Sequence, residues 1–214
     1  MSFDHTLPQI FCMLIAFLIA VIGHEIMHGF VALHYGDDTA KNAGRLTLNP
    51  LSHLDLIGSI LLPLGLFLIQ APFLFGWAKP VPVDINTVYR NRGYVGCIFV
   101  SLAGVIFNLS LALIASTILK YGLGGDGQSL LNFFLLEVVV FNVVLGVFNL
   151  LPIPPLDGSQ ALSFLSLKLG YKALPRLFAR IQKYGFFILM FILLTPLSQI
   201  FLFPVNFLFQ FLMS

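Results

Sequence analysis

Long apolar runs alternate with short polar connections along the chain. The runs cover residues 8–34, 94–119, 130–151 and 184–212. Each is long enough to cross the hydrocarbon core of a bilayer as an α-helix. The last run contains Pro196 and Pro204, so it forms either one span or a kinked pair of segments. The pattern predicts an all-α membrane protein with several spans.

A further apolar run, residues 56–77, is interrupted by glycine and proline. The interruptions are Gly58, Pro63, Gly65 and Pro72. Such a run can cross the membrane fully, or it can form a broken or re-entrant hairpin, because irregular backbone is tolerated at membrane depth when it is buried in protein.

The polar connections differ from one another. Residues 35–55 are polar and partly alternating, which predicts a short β-rich, membrane-associated loop with its best strand at residues 45–48. Residues 78–93 begin with an extended, proline-punctuated piece and continue as a polar loop.

The two later connections are a proline-rich and a basic segment. Residues 152–158 contain three prolines, which exclude regular helix. Residues 168–183 follow a short helical piece and are predicted to form a basic loop.

Composition supports an integral membrane protein with a single domain, residues 1–214. Of its residues 58% are hydrophobic and 9% are charged. We expect a bundle of about four to six spanning or re-entrant helices. No basic stripe with interleaved aromatic residues is present, so we expect no nucleic-acid partner. Cys12 and Cys97 lie in apolar runs and are interpreted as packing residues.

The first apolar run contains the motif H-E-I-M-H at residues 24–28. Residues four apart lie on one face of a helix, so His24 and His28 can both reach one metal ion. Glu25 is then placed to contact a metal-bound water. Burying these groups in a membrane is costly, which favours a functional site. The alternatives are a chance occurrence of H-E-x-x-H and a polar cluster that joins two helices.

A catalytic zinc ion usually takes three protein ligands, so a third ligand is expected. The candidates are His34, His53, Asp55, Glu137 and Asp157. Asp157 differs from the others because it follows the proline-rich break in a hydrophobic helix, where irregular backbone lines a cavity or is buried. Spacing alone leaves the choice open.

The distribution of basic residues indicates orientation. If residues 56–77 re-enter, ten of the eleven basic residues share one face and Lys120 stands alone on the other; the ten are Lys41, Arg45, Lys79, Arg90, Arg92, Lys168, Lys172, Arg176, Arg180 and Lys183. A full crossing weakens this bias. We therefore favour re-entry, with the N-terminus outside and the active site toward the cytoplasm of a multi-pass cell-membrane protein.

Two motifs make a specific resemblance. H-E-I-M-H-G at 24–29 and N-L-L-P-I-P-P-L-D-G at 149–158 resemble the site-2 protease family of intramembrane zinc metalloproteases. The stretches at 44–55 and 75–83 are similar to those of a compact prokaryotic branch without PDZ or CBS domains. The resemblance covers essentially the whole chain.

The resemblance implies a set of residue roles. His24, His28 and Asp157 would bind one Zn²⁺ per chain, Glu25 would be the catalytic base, and Asn149 would contact the substrate backbone or the developing oxyanion.

Two further residues are accessory candidates in this resemblance. His53 matches a frequent family histidine. Asn108 ends the stretch A-G-V-I-F-N, where many members have A-G-P-x-x-N, so the chain keeps the glycine and asparagine without the proline.

The function implied is hydrolysis of peptide bonds within or near transmembrane segments of membrane proteins, in regulated intramembrane proteolysis. The expected partners are these substrates and the lipid bilayer. An unwound substrate could pair as a strand with residues 45–48 or 79–83. Two rival hypotheses are a metal or proton transporter and a catalytically inactive zinc-binding scaffold. The sequence indicates no oligomeric state.

Overall fold

Helices form the regular structure of the chain. A computed structural model describes residues 6–68, 70, 76–122 and 129–214, and no strand occurs among them. The α-helices are α1 (Leu7–His34), α2 (Thr39–Asn42), α3 (Leu62–Leu68), α4 (Ile85–Lys120), α5 (Leu130–Asn149), α6 (Asp157–Lys168), α7 (Ala173–Ile181), α8 (Gly185–Leu194) and α9 (Ser198–Met213). A π-helical turn (Leu56–Leu61) and 3₁₀ turns (Pro50–His53 and Gln182–Tyr184) join them.

In the part of the chain that the structure describes, four helical stretches are long and apolar enough to cross a membrane, which confirms the all-α, multi-span class. They are α1, α4, α5 and the continuous stretch Ala173–Leu194, which includes α7 and α8. The predicted run 184–212 forms α8 and α9, which are separated around Pro196. It is therefore the kinked pair rather than one span, because proline has no N–H to continue the helical hydrogen bonds.

The prediction of a β-rich loop at residues 35–55 is wrong. The segment forms α2, a turn and a 3₁₀ turn, and residues 45–48 pair with no strand among the described residues. The backbone N–H of Arg45 donates locally to the Ala40 carbonyl (3.0 Å). The Thr47 carbonyl is met by the His53 imidazole (2.8 Å) instead of by another backbone. Local and side-chain bonds thus replace a β ladder.

The polar loop predicted for residues 78–93 is helical in its second half. Helix α4 begins at Ile85, because the Asp84 side chain accepts the Asn86 N–H (3.1 Å) and caps the first turn. The Thr87 hydroxyl also donates to Asp84 and lowers the pKa of that carboxyl. Gly93 interrupts the helix with φ +62°, a backbone conformation that favours glycine, and the predicted span follows it.

The basic loop predicted for residues 168–183 is also largely helical. Helix α6 ends at Lys168, and α7 follows over Ala173–Ile181. Leu174, Phe178 and Ile181 recur at helical spacing, so this short segment has an apolar face that stabilises a helix despite its charge.

The two ends of the interrupted run 56–77 lie side by side. The Trp77 N–H donates to the Gly58 carbonyl (3.1 Å), and the Ser59 hydroxyl donates to the Trp77 carbonyl (2.8 Å). Pro72 lies outside the described residues. Re-entry requires that the ends meet in this way, while the membrane topology itself stays a prediction.

The core forms where α1, α4 and α5 pack together. Small side chains such as Ala16 and Ala112 are fully buried against Val139 and Val143, which lets the helices approach closely. A second cluster joins the C-terminal end of α1 to the first half of α4, and Phe164 of α6 packs against it. This contact brings the start of α6 to the histidines of α1.

Candidate metal centre

Two histidines of α1 and one aspartate of α6 converge on a single point. His24 and His28 lie one helical turn apart, and Asp157 is the first residue of α6. Among the described residues these three form a group whose donor atoms lie within 4.8 Å of one another. All three are buried or half-buried.

The donor triangle has the dimensions of a zinc site. The His24 and His28 Nε2 atoms are 3.2 Å apart. The Asp157 Oδ2 atom lies 3.1 Å from the first and 3.3 Å from the second. A tetrahedral zinc ion with metal–ligand distances of about 2.0–2.1 Å separates its donors by about 3.3–3.4 Å. The residues therefore fit one face of a zinc tetrahedron.

The outer nitrogen of each imidazole faces an oxygen acceptor. His24 Nδ1 lies 2.7 Å from the side-chain oxygen of Asn108, and His28 Nδ1 lies 2.7 Å from the Val100 carbonyl oxygen. Each Nδ1 must therefore carry a proton and donate it, so in the neutral imidazole each Nε2 keeps its lone pair. The Asp157 Oδ2 atom is buried, and in the described part of the chain only these two imidazoles face it. Three lone pairs thus face one another, an arrangement that a cation stabilises.

Asn108 is held by a fully buried chain of amides. Its nitrogen donates to the Ala20 carbonyl (3.1 Å) and to the side-chain oxygen of Asn142 (2.8 Å). The Asn142 nitrogen in turn donates to the Val138 carbonyl (2.8 Å). Both asparagines are 0% exposed. These hydrogen bonds turn the Asn108 oxygen toward His24, and that oxygen orients the imidazole.

Two glycines allow the close approaches that the site needs. A Cβ at Gly104 would lie 2.5 Å from the His24 ring, so only glycine lets α4 pack against this imidazole. A Cβ at Gly158 would overlap the Leu150 carbonyl oxygen. Glycine after Asp157 therefore lets α6 begin directly against the end of α5.

Glu25 has one engaged and one free carboxylate oxygen. Oε2 accepts the backbone N–H of Val81 (2.9 Å). In the ranges that the structure covers, Oε1 has no hydrogen-bond partner, and the side chain is half-buried. The glutamate that follows His24 can therefore accept a proton at Oε1 while Val81 holds its other oxygen.

The extended segment 76–84 is already bonded along one edge. The Lys79 N–H donates to the His53 carbonyl (2.8 Å), and Arg45 donates to the Lys79 carbonyl (2.8 Å). Pro80 and Pro82 have no N–H, so each offers only its carbonyl for backbone hydrogen bonding. At these two positions the segment can accept but cannot donate in the strand pairing with a substrate that the sequence suggests.

The other candidates for a third ligand lie outside the cluster. Asp55 accepts the N–H groups of Ile57 and Gly58 and so caps the following turn. His53 is 3% exposed and buried in the loop rather than solvated. His34 stacks near Tyr35, with ring centroids 5.5 Å apart. Glu137 lies in α5 and is not among the three converging groups.

Asn149, like His53, is a predicted site residue that lies outside the cluster of His24, His28 and Asp157. Its side-chain nitrogen donates to the Leu145 carbonyl in its own helix (3.0 Å). The side chain would have to rotate away from this bond to reach a substrate.

Sequence reasoning missed two partners of the site. The Val100 carbonyl is a backbone group, which gives no signal in a sequence. Asn142 gives a weak signal, since a buried amide in a membrane helix needs a partner. Only the fold shows that the partner is Asn108.

Known proteins are similar to this chain over most of its length. Residues 126–193 match Peptidase family M50. A Bacillus subtilis (strain 168) protein named "Putative zinc metalloprotease YwhC" is 37% identical over 200 residues, which cover 90% of this chain and 84% of that protein. "Putative zinc metalloprotease Rip2" of Mycolicibacterium smegmatis is 30% identical over 194 residues, covering 87% of this chain and 68% of the relative.

A further relative matches a shorter part of this chain. "Putative zinc metalloprotease Rip2" of Mycobacterium tuberculosis (strain ATCC 25618 / H37Rv) is 34% identical over 160 residues, covering 72% of this chain and 57% of that protein. No solved structure matches the chain significantly.

The apolar helices and the His–His–Asp cluster fit a multi-pass membrane metalloprotease, the class indicated by the family match and the relatives' names. The chain belongs to the site-2 protease family, Peptidase family M50. The family implies Zn²⁺ as cofactor, and the donor triangle of His24, His28 and Asp157 fits that ion.

Proposed function

We propose that this protein is an intramembrane zinc endopeptidase that cleaves membrane proteins within or near their transmembrane segments. The observation that carries the proposal is the donor triangle of His24, His28 and Asp157, in which both histidines and the neighbouring Glu25 belong to the span-forming helix α1. A buried acid and two buried histidines are costly in a membrane and favour a functional site.

His24, His28 and Asp157 hold one Zn²⁺ in this proposal. When bound, the ion polarises the scissile carbonyl and makes water acidic enough to act as a nucleophile near neutral pH. The Asn108 oxygen and the Val100 carbonyl orient the two imidazoles through their Nδ1–H groups.

Glu25 acts as the general base and then as the general acid. Its Oε1 takes a proton from the attacking water and gives it to the leaving amine. The bond from Val81 to Oε2 holds the carboxylate in place during both transfers.

Asn149 donates to the developing oxyanion in this proposal. Its amide would exchange the Leu145 carbonyl for the substrate oxygen. Such a donor is typically worth about 10²–10³ in rate. The substrate helix must unwind first, because helical carbonyls are already hydrogen-bonded.

We assign the protein to the cell membrane, with its N-terminus outside and the active site toward the cytoplasm. The charge bias and the meeting of Gly58 with Trp77 support this orientation. Regulated intramembrane proteolysis, in which the cut releases a signalling fragment, is the process that fits such a site.

Cleavage by the reconstituted protein tests the proposal. Wild type and Glu25→Gln are placed in proteoliposomes with a panel of single-span peptides, with and without helix-breaking residues, and products are identified by mass spectrometry. We expect cleavage of the helix-broken peptides by wild type and a loss of at least about 10²-fold in Glu25→Gln. His34→Gln is the matched control on the same helix and should cleave normally.

The same vesicles distinguish the rival functions. Zinc-loaded protein that cleaves no peptide indicates an inactive scaffold. Uptake of zinc into vesicles containing a fluorescent chelator, without cleavage, indicates a transporter. Either result would contradict the protease assignment.

A further inference from the structure

One end of the molecule carries five exposed basic residues, here called the basic surface: Lys168, Lys172, Arg176, Arg180 and Lys183. The chain contains no Asp or Glu after Asp157. Among the described residues none of the five forms an ion pair. Their charge is therefore uncompensated by neighbouring carboxylates.

Helix α7 carries its basic side chains on one face and its apolar side chains on the opposite face. Successive residues turn by about 100° around a helix, which places Arg176 and Arg180 opposite Leu174 and Phe178. Phe178 is buried, Leu174 is half-buried, and both arginines are exposed. An amphipathic helix with a basic face is typical of elements that lie in the membrane interface.

Exposed apolar and aromatic side chains accompany the basic residues. Tyr171 and Tyr184 are 68% and 52% exposed, and Leu177 is 52% exposed. Tyrosine is favoured at the boundary between lipid and water because its ring is apolar and its hydroxyl is polar. The Lys183 ammonium lies 4.9 Å from the Tyr184 ring centroid, so charge and ring share one surface.

The basic surface lies at the α7 end of the stretch Ala173–Leu194, whose other half is the apolar helix α8. A 3₁₀ turn joins α7 to α8, which consists of apolar residues, glycine aside. Phe164 of α6 packs near Val88 in the first half of α4. The surface thus lies toward the same end of the bundle as this half of α4, while Lys120 is at the other end.

We propose that the basic surface binds the anionic phospholipid headgroups of the adjacent leaflet. Charge complementarity favours an anionic partner, and basic clusters beside a membrane span attract acidic lipids. The exposed Tyr171, Leu177 and Tyr184 favour a lipid surface over a free anion, since they need an apolar environment beside the phosphate groups. Lipid binding at this surface does not depend on the proposed protease activity.

The single tryptophan provides a local probe. The Trp77 ring centroid is 6.0 Å from that of Phe186, which follows Lys183 closely in the chain. Trp77 is 41% exposed, so brominated lipids near the basic surface can quench its fluorescence. Quenching by brominated phosphatidylglycerol is compared with quenching by brominated phosphatidylcholine in nanodiscs containing the full chain.

We expect a clear preference for phosphatidylglycerol at low salt. One Lys or Arg near an anionic surface contributes about a fivefold preference, so the combined substitution Arg176→Gln with Arg180→Gln should lower it about 25-fold. Lys120→Gln, at the opposite end of α4, is the matched control and should retain it. Rising salt should reduce the preference of the wild type, and this test needs no folded variant.

Several results would overturn the inference. Equal quenching by the two lipids at low salt would do so, as would a preference that survives the double substitution or high salt. Suppression by soluble glycerophosphoglycerol would indicate a free-anion site. Suppression by a polyglutamate peptide would indicate an acidic protein partner instead of the leaflet.

Discussion

Replacing Asn108 by alanine tests whether the metal centre depends on its outer hydrogen bonds. The side chain is 0% exposed and joins His24 to Asn142 through bonds of 2.7 and 2.8 Å. Asn108→Ala removes the acceptor of the His24 Nδ1–H and the donor to the Asn142 oxygen. Neither group can reach bulk water from its buried position.

The magnitude follows from the bonds to His24 and Asn142; the third lost bond, to the Ala20 carbonyl, leaves an oxygen that belongs to the helical backbone. A buried polar group left unpaired costs about 1–3 kcal/mol. Loss of the outer partner of a metal-binding histidine typically weakens metal binding about 10- to 100-fold. We therefore expect the zinc Kd of Asn108→Ala to rise by about that factor, since His24 is no longer held in one ring orientation.

A chelator competition on the detergent-purified protein measures this change. Ser101→Ala is the matched control, because Ser101 is equally internal to α4 and its hydroxyl donates only to the Cys97 carbonyl (2.9 Å). Its zinc affinity should equal that of the wild type. Equal zinc affinity in folded Asn108→Ala and Ser101→Ala would refute the argument that Asn108 orients His24.

Two further substitutions separate metal binding from catalysis. Gly104→Ala would place a Cβ 2.5 Å from the His24 ring and displace the imidazole, so zinc content should fall; normal zinc content would show that α4 can move aside. Asn149→Ala should retain zinc, because Asn149 lies outside the donor triangle, yet lower peptide cleavage about 10²–10³-fold; unchanged cleavage would exclude the oxyanion role.

The local part of the metal centre could be predicted from the sequence. His24 and His28 share a helix, so their spacing alone places both imidazoles on one face. Asp157 lies far from both histidines in the chain, so spacing alone does not select it from the other candidates for the third metal ligand. The resemblance to the site-2 protease family implies that Asp157 is the third ligand. The packing of Phe164 against the second core cluster shows how the fold holds α6, which begins at Asp157, beside α1.

The wrong predictions concern segments whose conformation depends on distant partners. Residues 45–48 alternate like a strand, but Arg45 bonds to Lys79 and the His53 ring takes the Thr47 carbonyl. The helical parts of 85–92 and 173–181 were missed because charge suggested loops, although the Asp84 cap and the spacing of Leu174 and Phe178 are local signals. Backbone partners such as the Val100 carbonyl have no signature in sequence.

The metal content of purified wild type and Asp157→Ala, determined by elemental mass spectrometry, tests the three-ligand site most directly. With His24, His28 and Asp157 as the three ligands, we expect about one zinc ion per wild-type chain and a clear loss of zinc in Asp157→Ala. Asp55→Ala is the control and should retain zinc, because Asp55 caps a turn through Ile57 and Gly58. Full zinc in Asp157→Ala, or no zinc in the reconstituted wild type, would contradict the account.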